Sequence, residues 1–246
     1  MNLFGDAFAW ILDPAHWTKG PDVSGHLLEH LGVSGLCVLI ALVIALPIGV
    51  AIGHTGRGRG AAILVSNISR ALPTLGLLSI LILLLGIGLL PITIVLVILA
   101  IPPMLAGAYA GIESVDKQTV DAARALGMTE WQIIVRVEIP LAAPLLIGGL
   151  RATALQVIAT LGIASAFAFG GLGSYLINGL AQADFVQLLA GAILITALAL
   201  LVDGVLAAVQ RFVVPHGVSR GGTDPNGPQK RARAPRPRAL QEGMQS

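Results

Sequence analysis

The chain is short of three things that soluble proteins use freely. Charged residues fill 11% of its 246 positions, about half the share a soluble domain of this length carries. So few cannot cover a water-facing surface, which excludes an ordinary soluble globule. Cysteine occurs once, as Cys37, so an intrachain disulfide is excluded. Aromatic residues supply 4% against 30 glycines, so close fit between small residues has to hold helices together in place of aromatic bulk. Catalytic motifs are missing too. There is no GxxxxGK[ST] phosphate loop, no Cys/His metal spacing, and no nucleophile beside a base. His16, His26, His30, His54 and His216 are scattered and read as solvated or interfacial. The chain is therefore not expected to be an enzyme, and by itself it hydrolyses no ATP.

What is present is apolar. Hydrophobic residues make up 55% of the chain and the mean hydropathy is +0.85, the profile of an all-α polytopic membrane protein. Five spans are expected, at about 30–53, 71–89, 91–110, 144–169 and 187–212, each long enough for roughly 30 Å of hydrocarbon. Pro47 bends the first. Pro73 marks a joint before the second, with 60–70 as an interfacial or tilted lead-in that lets Arg70 snorkel. Arg151 calls for the same oblique entry near the cytoplasmic side, and Asp203 falls towards the inner end of the last span. GGLGSYLINGLAQADF reads as a looser outer connection.

Basic residues orient the spans. Arg57, Arg59, the charged stretch after the third span and Arg211 onward share one side, while Lys19 is the lone basic residue opposite. The positive-inside rule then puts the N-terminus outside and the C-terminus inside. Residues 1–29 become an extracytoplasmic segment in which Trp10 and Trp17 anchor at the interface. Residues 30–212 form the membrane domain. Residues 213–246 form a disordered basic cytoplasmic tail that sets topology or faces headgroups, with no specific nucleic acid expected. The opening MNLFGDAFAWILDP carries an acid where a signal peptide has a base.

The stretch GIESVDKQTVDAARALGMTEWQIIVRVEIP, 111–140, is a charged island in an oily chain. Val120–Met128 permits a short helix with Thr119 as N-cap and Asp121 in its first turn. Ala122, Ala123 and Leu126 form its apolar face, and Gly127 reverses the chain. A second amphipathic piece, Glu130–Glu138, carries Trp131, Ile134 and Val135, and Pro140 ends it. Two successive alanines leave a thin helix suited to seating in a groove. Polar residues at span depth are candidates to line a pathway: Ser66, Asn67, Ser69, Thr74, Ser79, Thr153, Gln156, Thr160 and Ser165, with Pro73 shaping a kink. Each has an equally plain role as an interhelical hydrogen-bonding residue.

The island resembles the coupling motif of the membrane-spanning subunits of bacterial ABC importers, Glu-Ala-Ala, three residues, Gly, nine residues, Ile-x-Leu-Pro. Here it reads Asp121-Ala122-Ala123, Gly127, then Val137, Ile139 and Pro140, with spacing kept and Asp, Val and Ile as departures. SRALPTLGLLSIL (69–81), AGAYAGIESVD (106–116) and GGLGSYLINGL (170–180) are similar to permeases for glycine betaine, choline and related osmoprotectants. The resemblance implies the five-span core of a type I importer permease in a bacterial inner membrane. It also implies a second permease subunit, two ATP-binding cytoplasmic subunits that use the ATP and Mg2+, and an extracytoplasmic solute-binding protein. No cofactor belongs to this chain. Asp121, Ala122, Ala123, Leu126, Gly127, Val137, Ile139 and Pro140 would then be the ATPase-coupling residues. An importer for methionine or an oxyanion stays open, as does an ion-coupled secondary transporter or a membrane scaffold.

Overall fold

A computed structural model describes residues 2–18, 22–167 and 170–213, with the side chains of Val65, Ile68, Ser69, Arg70, Ala71 and Val213 outside the described part. The tail expected from 213 onward therefore lies outside the described residues beyond the end of the last helix, as does Phe169. Among the described residues all regular structure is helical. In chain order the helices are α1 (Leu3–Leu12), α2 (Ala15–Thr18), α3 (Val23–Thr55), α4 (Arg59–Ala71), α5 (Thr74–Leu85), α6 (Leu89–Glu113), α7 (Lys117–Ala125) and α8 (Glu130–Ile133). A π turn, Ile134–Glu138, leads into α9 (Ile139–Ala164), followed by a 3-10 turn, α10 (Gly173–Ala181) and α11 (Phe185–Val213).

Among the described residues four helical stretches, Val23–Thr55, Leu89–Glu113, Glu130–Phe167 and Phe185–Phe212, are long and apolar enough to cross a membrane. The crossing expected at 71–89 is not one helix. Leu72 and Pro73 are extended, with ψ of 126° and 111°, because the proline ring bars the preceding residue from helical backbone. Helix α5 then has 12 residues, a rise of about 18 Å, short of the hydrocarbon thickness of ~30 Å. The preceding 13 residues form their own helix, α4. Arg59 at its start pairs with Glu113 at the end of α6, 3.1 Å apart. Leu78 and Ile82 of α5 pack with Ile92 and Val95 near the opposite end of α6.

Helix α6 is the centre of the fold, packed along α3 on one side and α9 on the other. Glycine sets both crossings. A Cβ at Gly107 would lie 2.5 Å from the Cα of Gly149, and one at Gly49 would lie 2.5 Å from the Cβ of Ala108. Only hydrogen side chains let these backbones touch, and the contact replaces the hydrophobic drive that lipid removes. One apolar cluster, with Met104, Leu105, Ala108 and Ile112 of α6, continues into Val120, Ala123 and Ile133. The charged island is thus seated on the span bundle by the same core.

The expected loose connection after α9 is ordered instead. Leu172 and Tyr175 are buried with Val23, Ile158, Ile195 and Leu198, which pins α10 against α11. Glu29 on α3 accepts the Gly171 N–H at 2.7 Å and ties this end down. Helix α1 lies against α11, and Trp10 and Trp17 pack on the same cluster.

Candidate functional site

The island folds as a helix, a turn and a second helix, for reasons visible in its residues. Asp116, not Thr119, caps α7: its carboxylate accepts the Gln118 N–H at 3.0 Å. The helix therefore starts three residues before the expected Val120, since an acid at the N-cap satisfies an orphan donor and the helix dipole together. Its far end is closed by Gly127, at φ +81°, with the Met128 N–H returning to the Ala123 carbonyl at 3.2 Å. This is a Schellman closure, which needs a left-handed residue at the turn. Thr129 then opens α8 with a reciprocal capping box to Gln132.

Of the expected apolar face, Ala123 is buried and Ala122 faces out. Leu126 is 84% exposed and Trp131 72% exposed, two large apolar side chains offered to the surroundings by the turn and by α8. Val137 and Ile139 pack on the core cluster that holds Val120 and Ala123. Pro140 does not end the second piece. The helical path runs from Glu130 to Phe167, and a π turn stands just before Pro140, with the Ile139 N–H donating to the Ile134 carbonyl.

A line of charged contacts links the island to the spans. Arg124 on α7 forks Glu130, Nε to Oε1 at 2.8 Å and Nη2 to Oε2 at 3.1 Å, and reaches Asp121 at 3.1 Å. The Arg124 guanidinium holds the Glu130 carboxyl below the usual carboxylate range, and the fork raises the guanidinium's own affinity for its proton. His54, at the end of α3, places Nε2 3.1 Å from Glu130 and Nδ1 2.7 Å from Glu138. Glu138 is 4% exposed. Reading His54 as solvated or interfacial is corrected here, because α3 delivers it between two carboxylates. His30 is corrected as well: it is fully buried, with Nε2 3.1 Å from the Ile158 carbonyl. Among the described residues no group of His, Cys, Asp and Glu is placed to hold a metal ion.

Between the spans lies a cavity of about 320 Å³ lined by Leu72, Thr74, Leu99, Pro102, Pro103 and Gln156, with Ala152. It brings together two of the pathway candidates, Thr74 and Gln156, at the break between α4 and α5. Pro73 sits at that break. Pro102 and Pro103 were not among the candidates; lacking N–H groups, they leave the carbonyls of Ile98 and Leu99 without helical donors. The other candidates lie elsewhere. Thr153, Ser79 and Thr160 bond the carbonyls of Gly149, Leu75 and Gln156 on their own helices at 2.8, 2.7 and 2.7 Å. Ser165 bonds the Gly170 carbonyl at 2.9 Å. Asn67 is exposed on α4, Ser66 is half-buried there, and the Ser69 side chain lies outside the described part.

Arg151 and Asp203 belong together, which neither position discloses alone. Arg151 on α9 forks Asp203 on α11 at 2.7 and 2.8 Å and also reaches Gln210 at 3.1 Å. Gln210 in turn donates to the Pro144 carbonyl at 3.0 Å. Arg151, expected near the cytoplasmic side, is held there by this clasp, in which the end of α11 meets the start of α9.

The family described as "Binding-protein-dependent transport system inner membrane component" matches residues 41–215. The glycine betaine/carnitine/choline transport system permease protein OpuCB of Bacillus subtilis is 36% identical over 201 residues, 82% of this chain and 93% of the relative. The osmoprotectant import permease protein OsmW of Salmonella typhimurium is 31% identical over 216 residues, 84% of this chain and 100% of the relative. Among solved structures, an inward-facing MetNI methionine ABC transporter matches with a TM-score of 0.70 at 23% identity, over 82% of this chain and 99% of that one. That last likeness is one of fold.

Proposed function

From its membership of the binding-protein-dependent inner membrane component family, to which this chain belongs as the permease subunit of an ABC importer, we propose that it forms part of the translocation pathway for a small osmoprotectant of the glycine betaine, carnitine and choline class. The protein is a multi-pass membrane component of the bacterial inner membrane. The observation that carries the reading is the island: an ordered helix–turn–helix that shares its core with α6 and presents Leu126 and Trp131 outward. A cytoplasmic ATPase subunit docks there, on Asp121 to Gly127. Closure of two such subunits tilts the inner ends of α6 and α9 and switches the cavity between inward and outward access. To move that equilibrium, ATP-driven closure must favour one form over the other.

The assembly comprises a second permease subunit, two ATP-binding subunits and an extracytoplasmic solute-binding protein. Helices α4 and α5 together supply the fifth crossing as a broken pair, since α4 starts beside Glu113 and α5 packs at the other end of α6. With five crossings the N-terminus lies outside and the C-terminus inside, which keeps Arg57, Arg59, the island and Arg211 on one side. Thr74 and Gln156, with Pro102 and Pro103, line the pathway. The remaining polar candidates, Ser66, Asn67, Ser69, Ser79, Thr153 and Thr160, flank it or hold helices. An ion-coupled transporter is disfavoured because Asp203, the acid a proton relay would use, is held by Arg151.

Uptake of labelled glycine betaine, carnitine, choline and methionine by cells carrying the complete importer tests the cargo. Saturable uptake of the quaternary ammonium solutes, lost on Gly127→Val together with ATP-coupled transport, supports the reading. Normal import by a variant with 121–128 scrambled refutes the coupling role, and uptake of methionine alone refutes the cargo.

A further inference from the structure

His54 stands where three elements meet. It closes α3, its Nδ1 is 2.7 Å from Glu138 in the π turn, and its Nε2 is 3.1 Å from Glu130 at the start of α8. Arg124 of α7 continues the line through Glu130 to Asp121. The π turn matters to this contact. Its extra residue changes the helical phase by about 100°, and Glu138 comes to lie inward, 4% exposed. Among the described residues His54 is the one side chain bonded to that carboxylate. Resting on the reading of the island as the ATPase-coupling segment, we propose that His54 is the positioning residue that passes movement of α7 and α8 to α3 and α9. We further propose that it does so only while its ring carries both N–H groups.

The chemistry follows from the count of donors. A neutral imidazole has one N–H and one lone pair, whereas the imidazolium has two N–H groups. Facing a carboxylate on each side, the neutral ring binds one and turns its lone pair to the other. The protonated ring binds both, and the line from Asp121 to Glu138 is then continuous. Losing the proton opens that line at its middle. The groups that face the ring are Glu130 from α8 and Glu138 from the π turn. Asp121, Arg124, Lys117 and Glu113 line the cavity of about 260 Å³ beside it. Of the nearby cations, Arg124 is engaged by Glu130 and Asp121 and Arg59 by Glu113, while Lys117 lines the cavity without touching the ring. Both groups in direct contact with His54 are acids, one at each ring nitrogen. Histidine is the side chain whose charge changes near neutral pH, which makes coupling responsive to the pH on the ATPase side.

The test is solute imported per ATP hydrolysed, measured in proteoliposomes that hold the importer with its own ATPase and binding-protein subunits. Labelled glycine betaine and choline serve as probes, and the pH on the ATPase side runs from about 6 to about 8. The ratio removes any pH dependence of ATP hydrolysis itself. The wild-type ratio is expected to fall as pH rises. His54→Gln, with one donor, is expected to lower the ratio roughly tenfold to a hundredfold, the worth of a hydrogen bond to a charged group, and to flatten its pH profile. Glu130→Gln still accepts from Arg124 and lies on an exposed carboxylate, so it provides a folded second variant and is expected to flatten the profile too. A His54→Gln or Glu130→Gln importer that keeps the wild-type ratio and slope overturns the proposal. Gly127→Val separates the two readings. If it uncouples while the His54 and Glu130 variants do not, the His54 proposal falls alone; if it leaves the ratio unchanged, both fall.

Discussion

Replacing Arg151 by leucine strands the Asp203 carboxylate between α9 and α11. The native pair has two charge-assisted bonds, at 2.7 and 2.8 Å, with side chains 31% and 24% exposed. A fully buried pair broken on one side costs about 3–5 kcal/mol, and an acid at the centre of a membrane helix costs about 3 kcal/mol. Partial exposure lowers the first figure and a place towards the inner end of the span lowers the second, so each single variant, Arg151→Leu or Asp203→Leu, should lose no more than about 2–3 kcal/mol. The double variant removes both charges and should be no less stable than either single, which is a non-additivity of about 2–3 kcal/mol. The molecule supplies its own probe. Cys37 is the sole cysteine and is fully buried between the spans, so a thiol-reactive dye reports unfolding during an SDS titration. Losses that simply add in the double variant would refute the clasp as a coupled pair.

Three other outcomes are expected. Gly149→Leu drives a side chain into α6 where the Gly107 Cα would already stand 2.9 Å from a Cβ, and should cost about 3 kcal/mol or more by overpacking; the same Cys37 titration reads it. Leu126→Ala with Trp131→Ala should leave that titration unchanged, since both side chains are exposed, yet abolish copurification of the ATPase subunit. For pH, Arg124 holds the Glu130 carboxyl below its ordinary 4.5. A depressed carboxyl contributes its stabilisation in full above the ordinary value and loses it as pH falls through the depressed one. The protection of the Gly127–Glu130 amides relative to their intrinsic exchange should therefore hold down to about pH 4.5 and fall below it, with Glu130→Gln removing the acid-side change.

What could be read from the chain alone is what has a short period or a short reach. Apolar runs near 30–53, 91–110, 144–169 and 187–212 announce helices because lipid demands a continuous apolar stretch. The Gly127 reversal was legible because a glycine after an apolar helical face is a local signal. The capping was misplaced by three residues, since Asp116 and Thr119 are both good caps and only the fold of α7 onto Val120 and Ala123 selects between them. The joint at Pro73 was legible, because a proline bars helical backbone at the residue before it, and α4 and α5 part there; the end of α5 at Leu85, short of the expected 89, was not. The charged pairs were out of reach for a different reason. Arg151 meets Asp203 across 52 residues and His54 meets Glu138 across 84, and no periodicity links such positions. Taken singly, each charge in an oily chain invites an explanation through water: snorkelling, an interface, a solvated loop. Desolvation makes the paired explanation the cheaper one wherever a partner of opposite sign can be brought within hydrogen-bond distance. The solvated reading of His54 failed at this step, and the pairing of Arg151 with Asp203 went unseen for the same reason; opposite charges near the same end of neighbouring spans are the signal to search for pairs before invoking solvent.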